Sequence, residues 1–238
     1  RSARITQAEQ GLKYLHQQDD VVEVRALNVP VEHGRPIVVG GYFTDLHAAA
    51  RAAIEVDERG GSGVYTLLNP IHPGCLARSP HRMTDRPPNA TADSDVIHRR
   101  WLLIDLDSSI PVGVCASQVE VDATQNAGID LAAKLGDQGF PDPIRGWSGN
   151  GCTLLYKIDQ PNTPETTDIL RRFYLGLVAT MNSMVGCHID ATVYNAARLV
   201  RIPGTTNRKG GEVGDRVHRV VKWEYPPDAK SVDLESIL

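Results

Sequence analysis

The stretch Arg99-Arg100-Trp101-Leu102-Leu103-Ile104-Asp105-Leu106-Asp107 constrains this chain more than any other, because an apolar run ends in two carboxylates one residue apart. In an extended strand alternate side chains share a face, so Asp105 and Asp107 point one way while Ile104 and Leu106 pack on the other. Two carboxylates so presented suit one hard divalent ion, which keeps the rest of its shell for water and phosphate oxygens. A lone D-x-D also describes a strand running out into a solvated Asp-Leu-Asp-Ser-Ser turn, and these nine residues leave both readings open.

Composition limits the setting of that strand. A chain of 238 residues that is 41% hydrophobic and 23% charged is long enough to bury one large core or two packed ones. No apolar run is long enough to span a bilayer and no signal peptide opens the chain, which predicts a cytoplasmic protein away from membranes. Cys75, Cys115, Cys152 and Cys187 are far apart and form no C-x-x-C pair, so reduced thiols are expected rather than a zinc ribbon or a disulfide framework. The formal charge of −4 argues weakly against a nucleic-acid partner, yet the chain is basic from Arg198 through Arg201, Arg208, Lys209, Arg216, Arg219 and Lys222.

Along the chain, Thr6-Gln7-Ala8-Glu9 has the pattern of a capping box and predicts a helix from there to about Gln18. Val21–Val29 and Pro36–Phe43 read as a hairpin across Glu32-His33-Gly34, Thr44-Asp45 caps an alanine-rich helix to about Glu58, and Val64–Leu68 is a further strand. Residues 69–95 are proline-rich and aperiodic, a loop whose Arg78, Arg82 and Arg86 are either phosphate contacts or solvated charges. His72 and Cys75 resemble half a metal site with no second half, and are read as incidental. A helix is expected from about Ser117 to Leu135 with Asp122 and Asp130 in solvent. Another opens at Asn162-Thr163-Pro164-Glu165 and runs to about Met184, burying Ile169, Phe173, Leu177 and Met181.

Two further stretches carry chemistry. Ser148-Gly149-Asn150-Gly151-Cys152-Thr153 reads as a glycine-rich turn between strands, where backbone N–H groups converge on an anion and Ser148, Asn150 and Thr153 add donors; the same letters also make an ordinary hairpin. From Cys187 to Gly210 the chain supplies a third carboxylate, Asp190, then Arg198 and Arg201, then a Pro-Gly turn and a basic loop. Three acids, a phosphate-binding turn and guanidinium forks make a nucleotidyl-transfer site, although surface pairing of Arg198 and Arg201 with acids is the alternative.

In this order the pieces resemble the archaeo-eukaryotic primase superfamily, in particular the primase-polymerase domains of phages, plasmids and mobile elements. Asp105 and Asp107 match its D-x-D. Ser148 to Tyr156 match S-G-N-G-x-H-L-L-Y except at one position. Asp190, Val193, Asn195, Ala197 and Arg198 match D-x-x-V-x-N-x-A-R, and Pro203, Gly204, Thr205, Asn207, Lys209 and Gly210 match P-G-T-x-N-x-K-G. Asn69-Pro70, Thr91, Asp93, Arg99 and Arg100 also look like this group, and His218 and Arg219 resemble an R-P-H-R pattern in which Val217 replaces the proline.

The resemblance implies an α/β (α+β) fold in which an RNA-recognition-motif-like mixed sheet carries the acids beside a smaller N-terminal α/β unit. It divides the single catalytic domain at roughly 1–98, 99–225 and a tail 226–238, excised from a longer replication protein. It implies a template-directed primase-polymerase in which Asp105, Asp107 and Asp190 bind two divalent ions, Mg²⁺ or Mn²⁺. Ser148 and the Gly149–Gly151 backbone would hold the incoming NTP or dNTP, with Asn150, Thr153, Arg198, Arg201, Lys209, His218 and Arg219 as further nucleotide or template contacts. The partners would be single-stranded DNA template and primer, and a helicase domain or partner.

Thr153 stands where the family pattern has a triphosphate-binding histidine, and loss of one such contact costs about 2–4 kcal/mol of transition-state stabilisation. Three explanations follow: a weakened enzyme, substitution by a basic group such as Lys157 or His188, or a primase-like module that binds nucleotide or DNA without polymerising. A Mn²⁺-dependent glycosyltransferase also explains Asp105 and Asp107, but not P-G-T-x-N-x-K-G.

Overall fold

The computed structural model describes residues 1–181, 187–228 and 230–232. Its N-terminal part contains helix α1 (Ser2–Leu15), strands β1 (Val22–Val29) and β2 (Ile37–Phe43), helix α2 (Leu46–Asp57), and strands β3 (Gly63–Leu67) and β4 (Thr84–Asp85). On β1, Val22, Val24 and Ala26 share one face and are buried together with Ala49, Ala50, Ala53 and Ile54 of α2, whose alanine side chains allow close approach to the sheet. Asp45 caps α2 as its sequence predicts, its Oδ1 accepting from His47 N at 2.8 Å and Ala48 N at 3.2 Å. Helix α1 departs from expectation. It begins four residues before Thr6, so Thr6 is an interior residue whose hydroxyl donates back to Ser2 O, and the predicted capping box is not used.

The second part contains β5 (His98–Ser108), α3 (Gln118–Gly136), β6 (Ile144–Trp147), β7 (Gly151–Pro161), α4 (Pro164–Met181) and β8 (Cys187–Ile189). After β8 come β9 (Leu199–Arg201), β10 (Thr206–Asn207), β11 (Arg219–Val220) and β12 (Lys222–Glu224). The sheet order is β12-β6-β7-β5-β8, the β-α-β-β-α-β arrangement expected of an RNA-recognition-motif-like sheet with one strand added. Every pairing within it is antiparallel, so the sheet is not mixed. Ile104 and Leu106 of β5 and their cross-strand partners Leu154 and Cys152 of β7 lie on the face covered by α3, where Gly128 lets the helix approach Cys152 Sγ. Ser117 caps α3 with a full capping box to Glu120.

On α4 the buried stripe is Leu170, Tyr174 and Leu177, with Ile169 and Phe173 only half-buried at its edge; the Tyr174 hydroxyl donates to Leu103 O. Leu177 is buried as expected, while the two positions before it shift by one residue, from Ile169 and Phe173 to Leu170 and Tyr174, as Tyr174 packs under β5. The stretch from 182 to Met184 and the Met181 side chain lie outside the described residues, as do 229 and 233–238 of the expected tail.

The expected division near residue 98 is crossed by the chain. Strand β9 leaves the second part and pairs with β3, so the first sheet runs β4-β2-β1-β3-β9. The two sheets are therefore joined by residues 190–201, which run from the end of β8 to β9, and the candidate site sits at that junction.

The proline-rich loop is an ordered connection. Arg78 forms a two-pronged ion pair with Asp95, both contacts at 2.8 Å, which ties the two ends of the loop together; Arg82 and Arg86 are exposed. His72 Nδ1 accepts from Gly74 N and caps a short 3-10 turn that buries Cys75.

Candidate active site

Asp105 and Asp107 stand on the face of β5 opposite Ile104 and Leu106, as the alternation predicts, directly across from Thr153 and Gly151 of β7. Asp190 follows β8 and is anchored by its own N–H, which donates to Asp105 O at 3.0 Å. Its loop is pinned from several sides. Arg99 Nη1 donates to Tyr194 O at 2.6 Å, Asn69 Nδ2 to Ala196 O at 3.0 Å, and Ala197 N to Asp93 Oδ1 at 2.7 Å. Asn69, Asp93 and Arg99, singled out by the family resemblance, thus act by positioning the segment between Asp190 and Arg198.

All three carboxylates line one cleft of about 250 Å³, together with Ser148, Asn150, Thr153, Arg198, Arg201 and Lys209. Gly149, Gly151, His218 and Arg219 do not line it. The cleft lies between the sheets, since Arg201 belongs to β9 of the first sheet and Arg198 directly precedes it, while the acids belong to the second.

The Ser148–Gly151 turn closes the β6–β7 hairpin, with Ser148 N donating to Gly151 O at 3.1 Å. Gly149 has φ +83°, and a β-carbon there would fall 2.6 Å from Arg219 Cβ, so glycine is required on both counts. Arg219 braces this turn from behind: it donates to Ala116 O at 2.8 Å and reaches Gly149 O at 3.4 Å. His218 bonds Gly210 O at 2.8 Å through Nε2. Asn150 is a clamp, its Oδ1 accepting from Ala116 N at 2.9 Å and its Nδ2 donating to Lys209 O at 2.9 Å. Asn207 does the same from the other side, donating to Ser148 O at 2.8 Å. The polar groups of the turn and of the Pro203–Gly210 loop therefore hold each other in register across the cleft mouth.

The basic residues occupy distinct environments. Arg198 Nη2 lies 3.3 Å from Asp190 Oδ2 and 4.0 Å from Asp105 Oδ2, so it pairs with site acids and not with surface ones. Arg201 donates to Ser62 O at 3.2 Å and stacks 4.7 Å from the Tyr65 ring centroid, passing over Gly63 where any β-carbon would collide with it. Burial lowers its pKa, opposed by Tyr65 and the site carboxylates. Lys209 is exposed at the cleft edge. Of the proposed substitutes for histidine, His188 lines a neighbouring depression on the far side of Asp107, and Lys157 lines neither.

Burial and the Asp107 charge push the Asp105 carboxyl up to about 6, with Arg198 opposing them. Burial alone would raise Asp190 too, but Thr192 and Arg198 outweigh it and hold that carboxyl below its ordinary value. Three carboxylates form an all-oxygen donor set of the kind Mg²⁺ and Mn²⁺ take, and a cationic nitrogen already stands between two of them. As the side chains stand, no three acidic, histidine or cysteine groups among the described residues close around a single point. The donor set fits a divalent ion, with Arg198 in the gap.

Tyr65, Asn207 and Trp223 also line the cleft. None was chosen from sequence as a site residue. Asn207 carried a signal, its place in P-G-T-x-N-x-K-G, whereas Tyr65 and Trp223 come from β3 and β12 and carried none.

No protein-family model and no curated protein sequence matches the chain. Among solved structures it resembles the AEP domain of the cyanophage S-2L primase-polymerase, with a TM-score of 0.52 and 12% identity over 98% of this chain and 95% of that one. It also resembles a structure of primase RepB′, with a TM-score of 0.51 and 11% identity over 96% of this chain and 58% of that one. At such identities the likeness is one of fold. Among the described residues no helix is long and apolar enough to cross a membrane.

Proposed function

We propose that this chain, whose fold is that of the archaeo-eukaryotic primase-polymerases, is a template-directed nucleotidyltransferase of a replication system. The observation that carries the proposal is the convergence of Asp105, Asp107 and Asp190 in one cleft with Ser148, Arg198, Arg201 and Lys209.

In the reaction a 3′-hydroxyl attacks the α-phosphorus of an NTP or dNTP, the new P–O bond forms, and the bond to the bridging oxygen of pyrophosphate breaks. Asp105, Asp107 and Asp190 would hold the divalent ions, with Mg²⁺ and Mn²⁺ the candidates. Bound there, such ions would acidify the attacking hydroxyl and neutralise the departing phosphates. Arg198, Arg201 and Lys209 supply three positive charges for a polyanionic substrate, and guanidinium forks fit phosphate oxygens. Ser148 and Asn150 of the β6–β7 turn border the same space. Thr153 leaves the site without an imidazole, consistent with a slow enzyme. Single-stranded DNA template and primer are the proposed partners, with a helicase domain or partner acting ahead of them.

Primer extension and unprimed synthesis on a single-stranded template test this, with Mg²⁺ or Mn²⁺ and NTPs or dNTPs, comparing the chain with Asp105→Ala/Asp107→Ala. Metal-dependent product that disappears in the double variant is expected. No product under any pairing, with nucleotide or DNA binding retained, would reject catalysis in favour of a binding module.

A further inference from the structure

The two carboxylates that Arg198 bridges are arranged alike. Asp190 Oδ1 is tethered by Thr192, whose N–H and hydroxyl donate to it at 2.8 and 2.6 Å. Asp105 Oδ1 is approached by the Thr153 hydroxyl at 3.5 Å. In each case a threonine takes Oδ1, and in each case Oδ2 is the oxygen that faces Arg198 Nη2. The oxygens left for an ion between β5 and β8 are the ones a guanidinium now contacts, while Asp107 has no ion-pair partner among the described residues.

From this we infer that Arg198 is a resident counter-ion that competes with a divalent metal for Asp105 and Asp190. The inference rests on the metal-dependent triphosphate chemistry proposed above. A guanidinium and a divalent cation cannot share the same gap, so metal entry requires Arg198 to leave. An incoming triphosphate offers that guanidinium a second set of oxygens in the same cleft. Drawing Arg198 onto the phosphates uncovers Asp105 and Asp190, so nucleotide raises the affinity of the acids for metal, and by linkage metal raises the affinity for nucleotide by the same factor. Without substrate Asp105 and Asp190 stay paired with Arg198, and the site stays largely metal-free.

Mn²⁺ binding to the full chain without nucleotide, followed by the electron paramagnetic resonance signal of the free ion, tests this directly. Arg198→Gln is expected to bind Mn²⁺ about tenfold tighter than the parent, the size of change that loss of a partly buried cationic competitor produces. Adding Asp190→Asn to Arg198→Gln should abolish the gain. Arg198→Lys keeps the charge without the fork and should fall between parent and Arg198→Gln; it serves as the test should Arg198→Gln fail to fold by circular dichroism. Mn²⁺ binding by the parent with no gain in folded Arg198→Gln, or in Arg198→Lys where that is the test, would overturn the inference and leave the proposed function standing. Failure of both parent and variants to bind Mn²⁺ at millimolar concentration would overturn the metal site and the inference together.

Discussion

Removing the Asp57 carboxylate should both unsettle the fold and loosen the cleft. Asp57 ends α2 with a fully buried side chain, in a place where a helix dipole disfavours negative charge. Its Oδ1 accepts from Thr206 N at 3.0 Å and Arg208 Nη1 at 2.7 Å, and its Oδ2 accepts from Arg4 Nη2 and, at 3.3 Å, from Thr206 Oγ1. Arg4 also donates to Gly204 O at 2.6 Å, so one carboxylate joins α1, α2 and the Gly204–Arg208 loop. Asp57→Ala leaves two guanidiniums and a backbone N–H without their acceptor. Breaking a buried pair costs about 3–5 kcal/mol, and because the arginines are 29% and 26% exposed, so that water reaches part of each, the lower end applies. For a chain of this length about 3 kcal/mol lowers the melting temperature by roughly 6–12 °C. Melting followed by circular dichroism gives the first readout. Nucleotide affinity gives the second, since Asn207 and Lys209 continue this loop into the cleft and should be misplaced. A melting temperature within about 2 °C of the parent would refute the role assigned to Asp57.

Acid should destabilise the protein through two arginine-held carboxylates. Hydrogen bonds from Arg216 hold Glu120 down to about 2, and hydrogen bonds from Arg78 hold Asp95 down to about 2. Both values lie below those of the unfolded chain, so the stabilisation is complete above the ordinary carboxylate range and is lost as pH falls through it towards 2. Denaturation midpoints measured against pH should decline less steeply in Glu120→Gln and Asp95→Asn, and identical slopes would remove these pairs from the account. At the site, Thr153→His restores the imidazole of the family pattern in place of the hydroxyl and should raise turnover by up to roughly a thousandfold in primer extension. An unchanged rate would show that the threonine is not what limits this chain.

Much of the architecture was legible because it is local. The face shared by Asp105 and Asp107 follows from strand period, the start of α2 from Asp45, the start of α3 near Ser117 from apolar spacing, and the β6–β7 turn from its glycines. Where a local pattern met a packing constraint it gave way. Thr6 is interior because α1 starts at Ser2, and on α4 Tyr174 rather than Phe173 packs under β5.

The sequence by itself determined which residues carry charge and which share a face of one strand, since both depend only on residue type and backbone period. Tertiary structure alone decided who meets whom across the cleft. The passage of β9 into the first sheet sets Arg198 against Asp105 and Asp190 and seats Arg201 on Tyr65, and it leaves Arg219 and His218 bracing loops outside the cleft. It also brings Trp223 and Tyr65, from strands far apart in the chain, to one surface. Those contacts depend on how two sheets pack, a long-range property that no short window of residues encodes.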